Sequence, residues 1–185
     1  MRRRNGDLLK GLAAGLAGGL AASWTMNQFQ AGWTRVTEGF EKPHGAQSMQ
    51  PSEGGEPGQR SERDKQNQDD ATVKAAKAIS HGLFGYELKE DQKKAAGAAV
   101  HYAFGSATGG LYGAVAEVLP EVTLGAGVPF GAVFWLVADE TAVPLLGLSK
   151  PATEYPLSTH VYAFASHLVY GLTTEVVRRS LRRAL

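Results

Sequence analysis

The sequence contains no cysteine. This absence excludes disulfide scaffolds, thiolate metal sites and thiol nucleophiles, while it leaves the redox compartment open. The chain also lacks an excess of one charge, since 19 Lys and Arg residues balance 18 Asp and Glu residues to a net +1. It has no basic-aromatic stripe, no phosphate-binding glycine loop and no nucleophile beside an obvious base. The sequence therefore identifies no catalytic residue, no cofactor and no nucleic-acid partner.

Charge is missing altogether from four long segments. They lie between Lys10 and Arg35, Lys94 and Glu117, Glu121 and Asp139, and Glu154 and Glu175. Each approaches the roughly 20 helical residues that cross a hydrocarbon core about 30 Å thick. The remaining charge, which lowers the mean hydropathy to −0.20, lies mostly in the termini and in one internal block. We therefore predict an all-α integral membrane bundle of four transmembrane helices: Leu8–Gln28, Ala95–Val118, Val122–Val143 and Ser158–Val177.

A soluble helical bundle rich in alanine and glycine is the alternative, because none of the four segments is strongly apolar. A soluble helix needs a polar outer face, however, and charge-free segments do not supply one. Small residues spaced by four have another use, since they let neighbouring backbones approach closely in lipid. The glycines predicted to pack helices in this way are Gly11, Gly15, Gly19, Gly105, Gly109, Gly113, Gly127 and Gly131.

The basic residues predict the orientation. Three arginines begin at Arg2, and four more follow the last predicted span. An even number of spans places both termini on one side, which the positive-inside rule assigns to the cytoplasm of a bacterial inner membrane. The first segment also fits a cleaved signal peptide, which would leave three spans and the same C-terminal orientation.

Three regions follow from this topology. Residues 1–28 form the N-terminal tail and the first transmembrane helix, and residues 95–185 form a three-helix transmembrane region with a basic tail. Residues 29–94 form a polar outer loop, much of which has too few apolar residues to order itself. Within the loop, residues 72–84 show the spacing of an amphipathic helix. Because such a bundle is small, we expect a homo-oligomer or a subunit of a larger membrane complex.

Five histidine and acidic residues lie in the outer half or near the middle of the predicted spans. On antiparallel spans, His101, Asp139, Glu140 and His160 lie at similar depth near the outer leaflet, and His167 lies closer to the membrane centre. A charge at the centre of a span costs about 2.5–3.5 kcal/mol, so such groups normally face the bundle. Neighbouring helical residues project about 100° apart. Asp139 and Glu140 are therefore expected on different faces, with Asp139 the more buried.

Three roles fit this intramembrane polar cluster. Its carboxylates and imidazoles can join helices, as in a scaffolding subunit. They can instead carry a proton or a small cation, because imidazole titrates near neutrality. They can also bind a metal such as zinc in a membrane enzyme, with His101, Asp139 and His160 as candidate ligands. No HExxH or similarly compact ligand spacing supports the metal site, and the sequence favours a protein that is not an enzyme.

Three stretches together resemble a known family. They are HYAFGSATGGLYG from His101, DETAVPLLGL from Asp139 and HVYAFASHLVYG from His160. In this combination they resemble the YagU-like bacterial inner-membrane proteins, over the N-terminal span and roughly the last hundred residues. The resemblance implies an integral protein of the bacterial inner membrane. It supplies no substrate, cofactor or catalytic residue, although its three stretches contain all five residues of the polar cluster.

Overall fold

The computed structural model describes residues 7–36 and 69–185, and all regular elements within them are helical. Arg2 to Arg4 and residues 37–68 of the polar loop lie outside the described residues. The helices are α1 (Leu8–Val36), α2 (Ala71–Phe84), α3 (Glu90–Val118), α4 (Val128–Val137), α5 (Val143–Leu145) and α6 (Leu157–Ala184). Helical turns of 3-10 type occupy Pro120–Gly127 and Ala152–Glu154, and a π-helical turn, Ala138–Ala142, joins α4 to α5. Helix α2 coincides with the segment that has amphipathic spacing.

Helices α1, α3, α4 and α6 form an antiparallel bundle. Going along α1, Gly11, Gly15 and Gly19 meet Gly113, Gly109 and Gly105 of α3 in reverse order. Helix α6 packs against α1 and, through Gly171 and His167, against Gly127 and Gly131 at the start of α4. We call the end that holds Asp7 and the C-terminus the terminal end. The opposite end, which holds Glu140 and His160, is the loop end.

The bundle is held at glycine contacts that leave no room for a side chain. A Cβ atom added at Gly11 would lie 2.6 Å from the carbonyl oxygen of Gly113, and one at Gly109 would lie 2.6 Å from that of Gly15. On the other side of the bundle, a Cβ at Gly171 would lie 2.6 Å from the backbone nitrogen of Gly131. Any residue other than glycine would force these backbones apart.

The third predicted span differs from an unbroken helix. The backbone leaves helical geometry at Leu124, Gly125 and Ala126, and regular α-helix begins only at Val128. Gly127 closes the break with φ of 84°, and an added Cβ there would lie 2.7 Å from the Cβ of Glu175. Glycine is therefore required at position 127 for two reasons: its positive φ angle and the close contact with Glu175.

Helices α1, α3 and α6 are longer than the predicted spans, at 29, 29 and 28 residues. Each is about 43 Å long at 1.5 Å per residue, more than a hydrocarbon core requires. The extra turns carry polar residues such as Arg35 and Lys93. The limits of a charge-free segment show where polar side chains begin. The helix itself continues past these limits, because its backbone hydrogen bonds do not stop there.

By length and hydropathy, one segment of the described chain could cross a membrane. It is Pro120–Leu145, with a mean hydropathy of 1.5 over its best window. The interior of the bundle explains why the other long helices score lower. Among the described residues, no leucine, valine, isoleucine or phenylalanine is buried, whereas Ser23, His101, His167, Glu175 and Arg178 are.

Candidate functional site

Two groups of ionisable side chains lie inside the bundle. The loop-end cluster consists of the five residues predicted from the sequence: His101, Asp139, Glu140, His160 and His167. The terminal-end network consists of Tyr112, Glu117, Glu175, Arg178, Arg179 and Arg182. The clusters differ in how many hydrogen bonds their members make.

Asp139 and Glu140 both reach histidines of α6. Oδ2 of Asp139 lies 3.7 Å from Nδ1 of His167, and Oε1 of Glu140 lies 2.7 Å from Nδ1 of His160. Both acids thus face α6, whereas the sequence analysis expected them on different faces of their helix. Asp139 is the more buried of the two, as predicted, with its side chain 8% exposed against 17% for Glu140.

The π-helical turn explains this arrangement. Pro144 has no backbone N–H, so it cannot complete the usual bond to the carbonyl of Glu140 four residues earlier. The chain takes a wider register instead: the Val143 N–H bonds the carbonyl of Ala138, and the Thr141 hydroxyl donates to the carbonyl of Leu136 at 2.8 Å. A π turn spreads residues at smaller angles than an α turn, which lets adjacent carboxylates share one side. Pro144 is the signal in the sequence that could have predicted it.

His160 lies between two acceptors. Its Nδ1 faces Glu140, and its Nε2 lies 3.1 Å from the carbonyl oxygen of Ala152. The 3-10 turn Ala152–Glu154 thus fixes the ring from the side opposite the carboxylate. A carbonyl oxygen can only accept, so Nε2 carries a hydrogen. A second hydrogen then lies between Nδ1 of His160 and Oε1 of Glu140, and it joins the ring to the carboxyl group in a hydrogen bond of 2.7 Å.

His167 and His101 lie deeper. Nδ1 of His167 is 2.8 Å from the carbonyl oxygen of Ala163, and Phe134 packs edge-on against its ring. His101 of α3 lies against the backbone of Ser23 in α1 and close enough to His167 to interact electrostatically. Nε2 of each ring is buried without a hydrogen-bond partner. The structure therefore brings Asp139, His167 and His101 together at one place and Glu140 with His160 at another.

This grouping does not form a metal centre. Within residues 7–36 and 69–185, no three His, Asp or Glu side chains are arranged to hold a metal ion. The candidate ligands His101, Asp139 and His160 do not converge, because His160 is paired with Glu140. The residues present do not fit a zinc site, which takes three or four protein ligands.

The terminal-end network pairs two acids with arginines near the C-terminus. Glu175 is fully buried and accepts hydrogen bonds from Arg178, Arg179 and Tyr112. Glu117 accepts two from Arg182, at 2.6 and 2.9 Å. Arg178 and Arg182 are thus each paired with a carboxylate. The i, i+3 and i, i+4 spacing of Glu175 to the arginines indicates pairing, but the depth of Glu175 has no sequence signal.

Four aromatic rings separate the two clusters. Tyr112 stacks on Phe130 with centroids 4.2 Å apart, Phe130 stacks on Phe134, and Tyr170 contacts both phenylalanines. The Tyr170 hydroxyl donates to the carbonyl oxygen of Gly105 at 2.5 Å. No hydrogen bond between described side chains joins the loop-end cluster to the terminal-end network through this layer.

Comparison with known proteins identifies the family. A protein-family model described as "Protein of unknown function (DUF1440)" matches residues 58–176. The chain belongs to the DUF1440 family. The match includes all five residues of the loop-end cluster. It begins within the polar loop and omits α1, which the sequence resemblance had been expected to include.

A curated relative extends this result. The chain is 35% identical over 74 residues to "Inner membrane protein YagU" of Escherichia coli (strain K12), which is 40% of this chain and 36% of that protein. The predicted resemblance to YagU-like proteins is thereby confirmed. The matched region covers little more than a third of the length of this relative. No solved structure matches the chain.

Proposed function

We propose that this DUF1440 protein crosses the bacterial inner membrane four times with both termini in the cytoplasm, and that its loop-end cluster exchanges a proton or a small cation with the outer side. The named location of the YagU relative supports the membrane assignment. In this topology α1, α3, the segment from Pro120 to Leu145 and α6 are the spans, residues 29–94 lie outside, and α2 lies on the outer surface.

The distribution of side chains supports lipid as the surrounding medium. Large apolar side chains point away from the bundle along its whole length, among them Leu9, Leu20, Leu111, Leu136 and Val176, each at least half exposed. The interior instead contains glycine, alanine, tyrosine and ionisable groups. Soluble monomeric proteins rarely expose a contiguous apolar surface of this size. In lipid, the same surface is solvated and the polar interior holds the helices together.

The observation that carries the functional proposal is the pairing of two carboxylates on the π turn with two histidines of α6, of which His167 is fully buried. Ionisable groups at such depth are costly and mark ion or proton pathways. The wide π turn, a feature frequent at functional sites, is what brings both acids to α6. A cluster that served only to join helices would not need imidazole nitrogens without hydrogen-bond partners.

A flux measurement tests the proposal. The full chain is reconstituted in phospholipid vesicles with an entrapped pH dye, and pH, Na⁺ and K⁺ gradients are applied to the wild type, Asp139→Asn and His160→Gln. We expect each variant to lower the flux at least about tenfold, equivalent to about 1.4 kcal/mol, with assembly unchanged. His81→Gln on the exposed face of α2 is the matched control and should behave as wild type.

The competing role as a scaffolding subunit is supported by the glycine contacts along α1, α3 and α6. It makes the opposite prediction. If Asp139→Asn and His160→Gln leave the flux unchanged but impair assembly into an oligomer or complex, measured by size in detergent, the cluster is structural and the exchange proposal fails.

A further inference from the structure

The protonation states that the hydrogen bonds impose on the loop-end cluster select its ligand. We propose that the exchanged species is a proton, and that Nε2 of His167 is the atom that accepts it. This inference rests on the proposed function and names the species that the site takes.

The backbone fixes the tautomer of His167. Nδ1 lies 2.8 Å from the carbonyl oxygen of Ala163. Since a carbonyl oxygen only accepts, Nδ1 carries the hydrogen, and Nε2 of the neutral ring holds a free lone pair. That nitrogen is buried without a hydrogen-bond partner, in a residue with no solvent exposure. The ring is therefore held with its basic atom turned into the bundle.

The charges around the ring favour one additional proton. Glu140 is engaged by His160, with Oε1 2.7 Å from Nδ1, so its carboxyl group is directed away from His167. Asp139, with Oδ2 3.7 Å from Nδ1 of His167, supplies the balancing negative charge. The other groups at this level are His101 from α3, the uncharged Ser23 from α1, Phe134 from α4 and Tyr170 on α6 itself.

His101 limits the number of protons to one. Its Nε2 is also buried and unpartnered, and its ring interacts electrostatically with that of His167. Two neighbouring imidazolium ions would repel each other, and one carboxylate cannot balance both. Uptake breaks one O–H bond of hydronium, forms one N–H bond at His167 and releases water, so charge and atoms balance.

A metal cation fits the site poorly. Ca²⁺ takes six to eight oxygen ligands, and zinc takes four nitrogen, sulfur or oxygen ligands. The described residues hold no group of three His, Asp or Glu side chains arranged for a metal. In addition, Oε1 of Glu140 is already hydrogen-bonded to Nδ1 of His160. A proton needs only one lone pair, which His167 provides.

Nitrogen NMR tests the assignment. The full chain, labelled with ¹⁵N in its histidine rings, is placed in phospholipid vesicles and titrated with acid, and then, at fixed alkaline pH, with NaCl, KCl, CaCl₂ and ZnCl₂. The chain has five histidines. His167→Gln identifies the signal, with His81→Gln as control. If His167→Gln does not fold, His44→Gln, His101→Gln and His160→Gln, together with His81→Gln, identify the same signal by elimination.

We expect the His167 ring to show a neutral form with hydrogen on Nδ1 in alkali and to become imidazolium on acidification. The ¹⁵N signals of the ring should not change with any of the four salts. A neutral form with hydrogen on Nε2 would overturn the choice of accepting atom. If the ring signals shift with a metal ion but not with pH, the exchanged species is not a proton. The proposed exchange of a small cation would then remain valid. A ring that responds to neither overturns this inference. Proton, Na⁺ and K⁺ fluxes that are all absent from the wild-type vesicles overturn the proposed function as well.

Discussion

The two ends of the bundle bury the same kinds of group with opposite results. At the terminal end, the carboxylate of Glu175 accepts hydrogen bonds from Arg178, Arg179 and Tyr112. At the loop end, His167 and His101 each keep a buried nitrogen without a partner. Bonds that are all satisfied fix one protonation state, whereas a free lone pair can gain or lose a proton.

The difference lies partly in the backbone. The terminal-end groups sit on regular α-helix, where Glu175 reaches arginines one turn away on the same helix. The loop-end acids sit on a π turn and reach histidines of another helix. Movement of α4 relative to α6 would therefore alter the loop-end pairs and leave the Glu175 pairs intact. The comparison predicts a stability role for one end and a chemical role for the other.

The largest effect is expected from Glu175→Gln. The change leaves Arg178, whose side chain is 8% exposed, without its main counter-charge. Removing one partner of a buried ion pair typically costs about 3–5 kcal/mol. The free energy of unfolding, measured by denaturant titration in detergent micelles, should fall by that amount.

Glu121→Gln is the matched control, because Glu121 is exposed at the same end of the bundle. Its free energy of unfolding should stay within about 0.5 kcal/mol of wild type. Equal losses for both variants would mean that the terminal-end network is not the stabilising element inferred from its contacts.

A smaller effect is expected at the contact of α1 with α3, which connects the two ends. Gly15→Ala places a methyl group 2.9 Å from Cα of Gly113 and even closer to the backbone of Gly109. Such overpacking costs about 1–3 kcal/mol. Gly32→Ala on the same helix meets nothing within 4 Å, and alanine there should stabilise the protein by about 0.5–1 kcal/mol.

The two substitutions are expected to change the free energy of unfolding in opposite directions. This difference distinguishes a packing contact from an effect of helix propensity. Both free energies of unfolding are read from the same denaturant titration. A stabilising Gly15→Ala would show that α1 and α3 are not in the close contact that the structure describes.

The helical class and the family could be predicted from the sequence because charge-free length and motif order are local properties. Gly109 and Gly113 were selected by spacing alone, and spacing is what a helix face requires. Gly171 was missed because its small neighbours belong to another helix. The kink at Leu124 to Ala126 was missed because hydropathy is blind to backbone angles.

The site was predicted as a set of residues but not as a set of pairs. Depth along antiparallel spans selected His101, Asp139, Glu140, His160 and His167. Which acid meets which histidine depends on the register of α4 against α6 and on the π turn that Pro144 imposes. An ideal helix separates Asp139 from Glu140 by about 100°, so regular geometry gave the wrong answer. The four transmembrane helices stay a prediction, because Pro120–Leu145 is the one described segment that is long and apolar enough to cross a membrane.

The smallest effect on stability is expected from Glu140→Gln at the loop end, and it completes the comparison. The side chains of Glu140 and His160 are 17% and 24% exposed, and glutamine can still accept a hydrogen bond from the ring. The free energy of unfolding should change by about 1 kcal/mol or less, far less than for Glu175→Gln. Proton exchange should nevertheless fall, because the proton between Glu140 and His160 loses its carboxylate. Exposed Glu154→Gln at the same end should change neither quantity. A loss of stability as large as that of Glu175→Gln would assign both ends the same structural role.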